Sequence, residues 1–165
     1  MEYSELFVAG RDGYHTYRIP ALLVSSAGTV LAFCEGRRNS AADDGDIDLL
    51  LRRSRDGGAT WGPAELVFVD GADTIGNPCP IVERASGEIC LAFCRNNALV
   101  YVTRSADDGA SWTPPLDITP SVKAPEWGLM GTGPGHGTQL TSGRLLVPCW
   151  AHPPKFAPPG RTLCI

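Results

Sequence analysis

Two arginines near the start of the chain stand at the ends of neighbouring apolar segments. Arg18 follows Tyr17 and precedes the apolar run 19–23, and Arg37 closes the segment 35–37. The planar guanidinium of arginine forms two parallel charge-assisted hydrogen bonds with a carboxylate, which the ammonium group of lysine does not. If the fold brings the two side chains together, they form a site for an anionic ligand.

The elements that must position these arginines are indicated by a short repeated pattern, S-x-D-x-G-x-[ST]-W, at 54–61 and again at 105–112. An Asp that bonds its own backbone, a Gly at positive φ and a capping Ser or Thr are typical of a tight connection between strands. The Trp is predicted to start the next strand and pack on the sheet. The pattern residues, predicted to be structural, are Ser54, Asp56, Gly58, Trp61, Ser105, Asp107, Gly109 and Trp112.

Short apolar or alternating runs separated by Gly, Pro, Asn and Asp predict an all-β fold, because no stretch keeps an apolar period of 3.6 residues. The repeated pattern falls between the third and fourth run of two successive sets. Four strands in a unit of roughly 50 residues are typical of a β-propeller blade. The predicted runs are 18–24, 29–35, 47–54, 64–69, 78–83, 88–93, 99–105 and 116–118, followed by 136–140, 144–150 and 161–165.

These sets predict one blade at about 18–69, a second at about 77–118 and part of a third at about 135–165. A propeller needs at least about four blades to close, and each blade leaves apolar faces exposed until neighbours stack on it. We therefore expect about two and a half blades of a longer propeller.

Composition and charge exclude several classes of protein. The chain has 43% hydrophobic and 19% charged residues and a formal net charge of −4, without a basic run, so no nucleic-acid partner is expected. No apolar run is long enough to span a membrane, and the first strand is predicted too early for a signal peptide. The cysteine spacings favour buried free thiols over disulfides or zinc, which slightly favours a cytoplasmic location and leaves lysosomal, membrane-associated and secreted locations open. The cysteines are Cys34, Cys79, Cys90, Cys94, Cys149 and Cys164.

Several motifs, taken in order, resemble the sialidase (neuraminidase) family of exo-glycosidases, which are six-bladed β-propellers. They are Tyr17-Arg18-Ile19-Pro20, Glu35-Gly36-Arg37, the two repeated patterns, Gly76-Asn77-Pro78-Cys79-Pro80 and Gly133-Pro134-Gly135-His136. The resemblance covers about residues 5–165 and corresponds to the N-terminal part of the catalytic domain. It implies an exo-α-sialidase that hydrolyses terminal α-linked sialic acids from glycoproteins, glycolipids and oligosaccharides with retention, without a metal or organic cofactor.

The resemblance also implies roles for individual residues. Arg18 matches the first of three arginines that bind the sialic acid carboxylate, and Arg37 matches an additional arginine near O4 of the sugar. The general acid/base of the family is an aspartate on the loop that follows the second arginine. Asp43 has the best matching spacing and Asp44 is the alternative, while the acids at 46 and 48 are assigned to the start of the next strand. A proton donor needs a raised pKa, which burial or neighbouring carboxylates supply.

Further residues are expected around the same site. Asn77 matches an asparagine that reaches toward the substrate, although a turn residue before a proline is equally consistent with it. Trp150 and His152 match aromatic residues that line the glycerol and N-acetyl side of the sugar. Glu35 matches a carboxylate that orients the first of the three arginines by a salt bridge, and His136 is expected to be structural.

In the family pattern, the tyrosine nucleophile, its partner glutamate and the other two arginines of the triad lie in later blades. The tyrosines of this chain, Tyr3, Tyr14, Tyr17 and Tyr101, come too early to match. We therefore expect the 165-residue chain alone to show no turnover. The alternative is a non-catalytic propeller that binds sugar or serves as a scaffold. An aspartate at the acid/base position favours the hydrolase, whereas linkage preference and hydrolysis versus transfer stay open.

Overall fold

The computed structural model describes residues 3–154 and 160–165 of the chain. Its first part is a four-stranded antiparallel sheet in which the strands lie in chain order. The strands are β1 (Thr16–Val24), β2 (Val30–Arg37), β3 (Ile47–Ser54) and β4 (Glu65–Phe68). We call this unit sheet 1.

The second part, sheet 2, repeats the same topology. Its strands are β5 (Ile75–Val82), β6 (Ile89–Arg95), β7 (Leu99–Ser105) and β8 (Leu116–Asp117). A short helix, α1 (Thr119–Val122), follows, and its second residue is a proline, as is common in the first turn of a helix. The all-β prediction is confirmed by these sheets.

The third part consists of a three-stranded sheet and a small hairpin. In sheet 3, β9 (Leu129–Thr132) and β13 (Arg161–Cys164) flank β12 (Pro148–His152). The hairpin pairs β10 (Thr138–Gln139) with β11 (Leu145–Leu146). The strand that comes first along the chain in sheet 3 is thus β9 and not the predicted run at 136–140. The sequence did not predict β9 because glycines in and around it interrupt the apolar pattern that marks a strand.

Two apolar clusters lie between successive sheets. Between sheets 1 and 2, Phe33 and Leu49 pack with Leu91 and Phe93, all fully buried. Between sheets 2 and 3, Cys94 and other small or apolar residues of sheet 2 pack against residues of β9 and β12. Nearly every residue of β6 is buried, because sheet 2 has a neighbour on each face.

The repeated pattern forms the tight β3–β4 and β7–β8 connections, as predicted. In the first copy, Ser54 Oγ donates to Asp56 Oδ1 over 2.7 Å, and the Gly58 amide donates to Ser54 Oγ over 2.8 Å. Thr60 donates to Asp56 through its amide and its hydroxyl, over 2.9 and 2.6 Å. Ser105, Asp107, Gly109 and Ser111 repeat these bonds with distances of 2.6–2.8 Å.

The tryptophans of the pattern depart from the prediction. Trp61 lies in the loop before β4, where its indole donates to the Gly58 carbonyl over 3.0 Å. Trp112 precedes β8 and packs edge-on against Phe33 of sheet 1, with the ring centroids 6.0 Å apart. The second tryptophan therefore joins two sheets instead of starting a strand.

All six cysteines are free, as predicted, and Cys164 differs from the rest in being exposed. Within the described residues, no helix has the length and apolar character needed to cross a membrane.

Candidate active site

One cavity of about 260 Å³ is lined by residues from all three sheets and from the loops and turns beside them. Most of the residues proposed from the sequence line it, although they come from distant parts of the chain. The lining residues are Arg18, Ile19, Glu35, Arg37, Asp43, Asn77, Asn97, Pro134 and Trp150.

The same backbone feature recurs beside the cavity in each of the three sheets. Ile19, Asn77 and Gly133 have φ angles of 55°, 57° and 69°, and each precedes a proline. The register of β1 shifts between Arg18 and Ala21, and that of β5 shifts at the equivalent place. Such bulges redirect side chains at the end of a strand, and a β-branched residue at positive φ stores of the order of 1–3 kcal/mol of strain. Ile19 carries this strain beside Arg18.

The carboxylate of Asp43 lies between two guanidinium groups. Its Oδ1 accepts from Arg18 Nη1 over 2.9 Å and lies 2.8 Å from Arg37 Nη1. The two cations differ in their surroundings, since the side chain of Arg18 is 47% exposed and that of Arg37 only 3%. The predicted convergence of the arginines is therefore present, with a carboxylate already bound between them.

Arg37 is held by a buried ion pair with Glu35. Glu35 Oε2 accepts from Arg37 Nε over 3.1 Å and from Nη2 over 2.7 Å, while Oε1 accepts from the Asn77 amide over 3.0 Å. Burial raises the pKa of Glu35, and the bonds from Arg37 and Asn77 oppose that rise. Burial acts to lower the pKa of Arg37, but hydrogen bonds to Glu35 and Asp43 outweigh it and raise that pKa.

The predicted partner of Glu35 is corrected by this geometry, because the salt bridge joins it to Arg37 and not to Arg18. Glu35 and Arg37 are separated by one residue on β2, so their side chains project from the same face and meet. The Glu35 carboxylate rests on Gly76 of β5, where a Cβ atom would collide with it. A glycine at this point lets β5 pack directly against the ion pair.

The loop 38–46 that carries Asp43 is fastened at several points. Arg37 Nη1 donates to the carbonyls of Ala41 and Ala42, over 2.7 Å in each case. At the base of the loop, the Arg38 amide donates to the Asp46 carbonyl over 3.0 Å, and the Arg38 guanidinium pairs with the fully buried Asp48 over 2.5 Å. Hydrogen bonds and ion pairs therefore hold the backbone of the loop at both of its ends and next to Asp43.

The other acids near this loop point elsewhere. Asp44 borders a separate cavity on the far side of Arg37. Asp48 lies in β3 and accepts a bond of 2.7 Å from Tyr14 Oη, and Asp46, just before β3, lies 3.4 Å from Arg38 Nε. Of the four acids, Asp43 is the one that lines the cavity shared with Arg18 and Arg37.

Asn97 belongs to the site but was missed by the sequence analysis. It lies in the β6–β7 turn, with φ of 48°, and its Nδ2 donates to the Asp43 carbonyl over 3.1 Å. Its Oδ1 accepts from Asn77 Nδ2 over 3.0 Å. Asn-Asn is an ordinary turn sequence. The adjacent Asn96 and Asn97 thus gave no signal of their different roles.

The indole ring of Trp150 forms an apolar wall of the cavity. It lies directly over Gly131, its register partner on β9, where a Cβ atom would overlap the ring. His152 follows on the same strand, and its ring centroid is 6.0 Å from that of Trp150, but it does not line the cavity. His136 is exposed and also lies outside the cavity lining.

Two further observations concern metal ligands and tyrosines at the site. Within residues 3–154 and 160–165, no group of three or more His, Cys, Asp or Glu side chains is arranged to hold a metal ion. None of the four tyrosines, all of which are described, lines the cavity. Tyr14 and Tyr17, which lie nearest in sequence to Arg18, donate their hydroxyl hydrogens to Asp48 and to the Arg11 carbonyl.

Comparison with known proteins gives consistent matches. The model of the BNR repeat-like domain family matches residues 28–159. The exo-alpha-sialidase of Aspergillus fumigatus is 34% identical over 169 residues, which cover 82% of this chain and 41% of that protein. Sialidase-3 of Bos taurus is 39% identical over 161 residues, which cover 83% of this chain and 37% of that protein. The chain thus spans less than half the length of these relatives.

Solved structures agree. The structure named Hadza microbial sialidase Hz136 superposes with a TM-score of 0.85 at 27% identity, covering 95% of this chain and 36% of that one. Trypanosoma rangeli sialidase in complex with sialic acid superposes with a TM-score of 0.73 at 16% identity, over 92% of this chain and 29% of that one, which shows likeness of fold. Sialidases are β-propellers, and the three sheets described above are part of this fold. By its sequence motifs, its fold and its relatives, the chain belongs to the sialidase family.

Proposed function

We propose that the protein is an exo-α-sialidase that hydrolyses terminal α-linked sialic acids of glycoproteins, glycolipids and oligosaccharides, with retention of configuration. The observation that carries this proposal is the carboxylate of Asp43 held between Arg18 and Arg37 at the mouth of one cavity. Such a site accepts an acidic sugar and places a carboxyl group beside it. The name exo-alpha-sialidase, carried by a relative that is 34% identical, supports the same activity.

Arg18 binds the carboxylate of the sugar. Its side chain is half exposed, and its present partner Asp43 is 74% exposed. Exposed ion pairs contribute only about 0–1 kcal/mol, so an incoming carboxylate displaces Asp43 from Arg18 at little cost. The same exchange leaves Arg37 as the remaining cation beside Asp43, whose carboxyl is then available for its own step.

Arg37 serves as a fixed cation on the O4 side of the sugar. Glu35 and the carbonyls of Ala41 and Ala42 hold its guanidinium in one orientation. Asn77 lies beside it, with its backbone fixed by Glu35 and by Thr132, whose hydroxyl donates to the Asn77 carbonyl over 2.6 Å. Binding groups that are already ordered lose little entropy when the ligand arrives.

Asp43 is the general acid/base. In the first step its carboxyl donates a proton to the glycosidic oxygen as the bond to the anomeric carbon breaks, and the aglycone leaves as a neutral alcohol. In the second step the resulting carboxylate takes a proton from the water that attacks the anomeric carbon, the bond from that carbon to the enzyme nucleophile breaks, and the acid is restored. Retention requires a covalent intermediate between these steps, for which the family resemblance implies a tyrosine nucleophile outside this chain.

The proposal is tested by incubating the full-length product of the gene with an α-linked sialoside and measuring the release of sialic acid. Two controls share the aglycone: the methyl ester of the same sialoside and the matching neutral galactoside. We expect release from the acid and no cleavage of either control, because Arg18 recognises a negative charge. Binding of the sialoside without cleavage would favour a sugar-binding relative, and cleavage of the neutral glycoside would contradict the assigned specificity.

A further inference from the structure

The Asn96–Asn97 turn between β6 and β7 faces the site from sheet 2, with both asparagines at positive φ. Their side chains diverge. Asn96 Oδ1 accepts the Thr74 amide of its own sheet over 2.9 Å, whereas Asn97 reaches across to the Asp43 carbonyl on the loop of sheet 1. The carbonyl of Asn97 also accepts the Met130 amide of sheet 3 over 2.8 Å, so its backbone is anchored on the side away from the loop.

Asn97 closes a ring of hydrogen bonds around the cavity. Starting from Asp43, the links run to Arg37 over 2.8 Å, to Glu35 over 2.7 Å and to the Asn77 amide over 3.0 Å. Asn77 Nδ2 then donates to Asn97 over 3.0 Å, and Asn97 Nδ2 donates back to the Asp43 carbonyl over 3.1 Å. The ring joins loop 38–46 with β2, β5 and the β6–β7 turn.

The bond from Asn97 has a distinct place in this ring. The side chain of Asp43 is 74% exposed, and an incoming carboxylate competes for its contact with Arg18. The bond from Asn97 ends on the backbone of Asp43, so it persists when the Asp43 side chain turns from Arg18 toward a ligand. A bond to the backbone carbonyl fixes the position of the Asp43 main chain and leaves the Asp43 side chain free to rotate.

We propose that Asn97 is a positioning residue for the general acid, holding the backbone of Asp43 so that its carboxyl reaches the glycosidic oxygen. This inference rests on the proposed hydrolase function. The bond from Asn97 to the Asp43 backbone acts on the acid step, whereas the bond between Asn97 and Asn77 acts on binding of the sugar and affects substrates with different leaving groups alike.

The test uses Asn97→Gly in the full-length gene product, because glycine keeps the positive φ and removes the side chain. The matched control is Asn96→Gly, in the same turn and the same conformation. Two sialosides are compared, one with lactose as the leaving group and one with 4-nitrophenol, which departs with little help from an acid. We expect kcat/KM of Asn97→Gly to fall about 10- to 100-fold for the lactose substrate and by under about 3-fold for the aryl substrate.

An equal loss on both substrates, no loss on either, or the same loss in Asn96→Gly would overturn the proposal. If the parent protein cleaves neither substrate, the proposed function fails instead. The bond from Asn97 to the Asp43 backbone is then judged by hydrogen exchange of residues 41–44, which we expect to be faster in Asn97→Gly and unchanged in Asn96→Gly. Unchanged exchange in Asn97→Gly would by itself contradict the role of this bond.

Discussion

At the scale of single residues, the central feature of the site is the contact of the Asp43 carboxylate with two arginines. In the proposed function an anionic sugar replaces this carboxylate at Arg18. The other cation, Arg37, is almost fully buried. The exposed Arg18–Asp43 pair and the buried Arg37–Glu35 pair therefore have different roles. The exposed pair with Arg18 is exchangeable, whereas the buried pair of Arg37 with Glu35 is structural.

Replacing Asp43 by Asn separates catalysis from binding. We expect Asp43→Asn to lower kcat on a sialoside of an alkyl alcohol by about 100- to 10,000-fold, because the proton donor is lost. Affinity for free sialic acid should stay the same or increase, since Arg18 no longer has a competing carboxylate. Steady-state kinetics and calorimetric titration check the two parts. Asp44→Asn is the control, and a large loss of kcat there would identify Asp44 as the acid.

Glu35 should be the costliest acidic residue of the site to remove. Glu35→Ala removes the buried carboxylate partner of the Arg37 guanidinium and leaves it with the exposed Asp43. Breaking a buried pair in this way typically lowers the free energy of unfolding by about 3–5 kcal/mol. Glu88→Ala, which removes the exposed partner of Arg104, should cost at most about 1 kcal/mol. Urea unfolding of both variants measures the difference, and similar losses in the two would show that the buried pair has no special role.

At the scale of the elements, the two copies of the repeated turn are alike in hydrogen bonding and different in packing. Gly58 and Gly109 both have positive φ, at 93° and 76°. A Cβ on Gly58 would have one neighbour, Trp61, at 3.8 Å, whereas a Cβ on Gly109 would lie 2.7 Å from Leu31 and 3.0 Å from Leu51. The second turn thus packs against the core of sheet 1 and joins it to sheet 2.

This difference predicts unequal costs for the same substitution. Gly58→Ala should lower the free energy of unfolding by about 1–2 kcal/mol, the cost of positive φ in a residue with a Cβ. Gly109→Ala carries that cost and about 1–3 kcal/mol more, because the methyl group overpacks the contact with Leu31 and Leu51. Chemical denaturation of the two variants compares them directly. Equal losses would mean that the second turn does not contribute to the contact between sheets.

The same turns set the acid stability of the sheets. Hydrogen bonds from Thr60 and Ser111, first of all those of their hydroxyls, lower the pKa of Asp56 and Asp107 from 3.8 to about 2. Below pH 3.8 the unfolded chain therefore binds more protons than the folded one, so stability is full above that pH and is lost as pH falls toward 2. We expect Asp56→Asn to weaken this dependence of stability on pH, as measured by acid unfolding followed by circular dichroism. If stability fell as steeply between pH 4 and pH 2 in the variant as in the parent, the assignment would be contradicted.

How far the sequence predicts these elements depends on whether the information is local. The bounds of β3 and β7 match the predicted runs, and the repeated turns fold as expected, since apolar alternation and turn residues act within a few positions. The four-residue strand β9 was missed because glycines interrupt its pattern. The Glu35–Arg37 pair joins two residues of one strand, so their alternate spacing carried a local signal that the prediction did not use. The bond from Asn97 to Asp43 depends on which strands become neighbours, which local patterns do not encode.

At the scale of the whole molecule, the described residues supply part of a binding site. Arg18 and Arg37 are the arginines that line the cavity, and the four tyrosines of the chain lie elsewhere. The family resemblance implies a nucleophile and further arginines from other blades.

The 165-residue chain expressed by itself should therefore show no hydrolysis of a fluorogenic sialoside, whereas the full-length gene product should hydrolyse it. Circular dichroism of the 165-residue chain is the control for retained β structure. Release of fluorophore by the 165 residues above a buffer blank would show that they contain a complete catalytic set.

The most direct test of the account is a crystal structure of the full-length gene product with sialic acid bound. We expect the carboxylate of the sugar within hydrogen-bond distance of Arg18, in the place that Asp43 now occupies, with Arg37 still paired with Glu35. The Asp43 carboxyl should have turned toward the hydroxyl on the anomeric carbon of the sugar, which stands where the glycosidic oxygen of a sialoside would be, while its backbone stays bonded to Asn97. Sugar bound at another site, or in this cavity with the Arg18–Asp43 pair intact, would contradict the proposed roles of both residues.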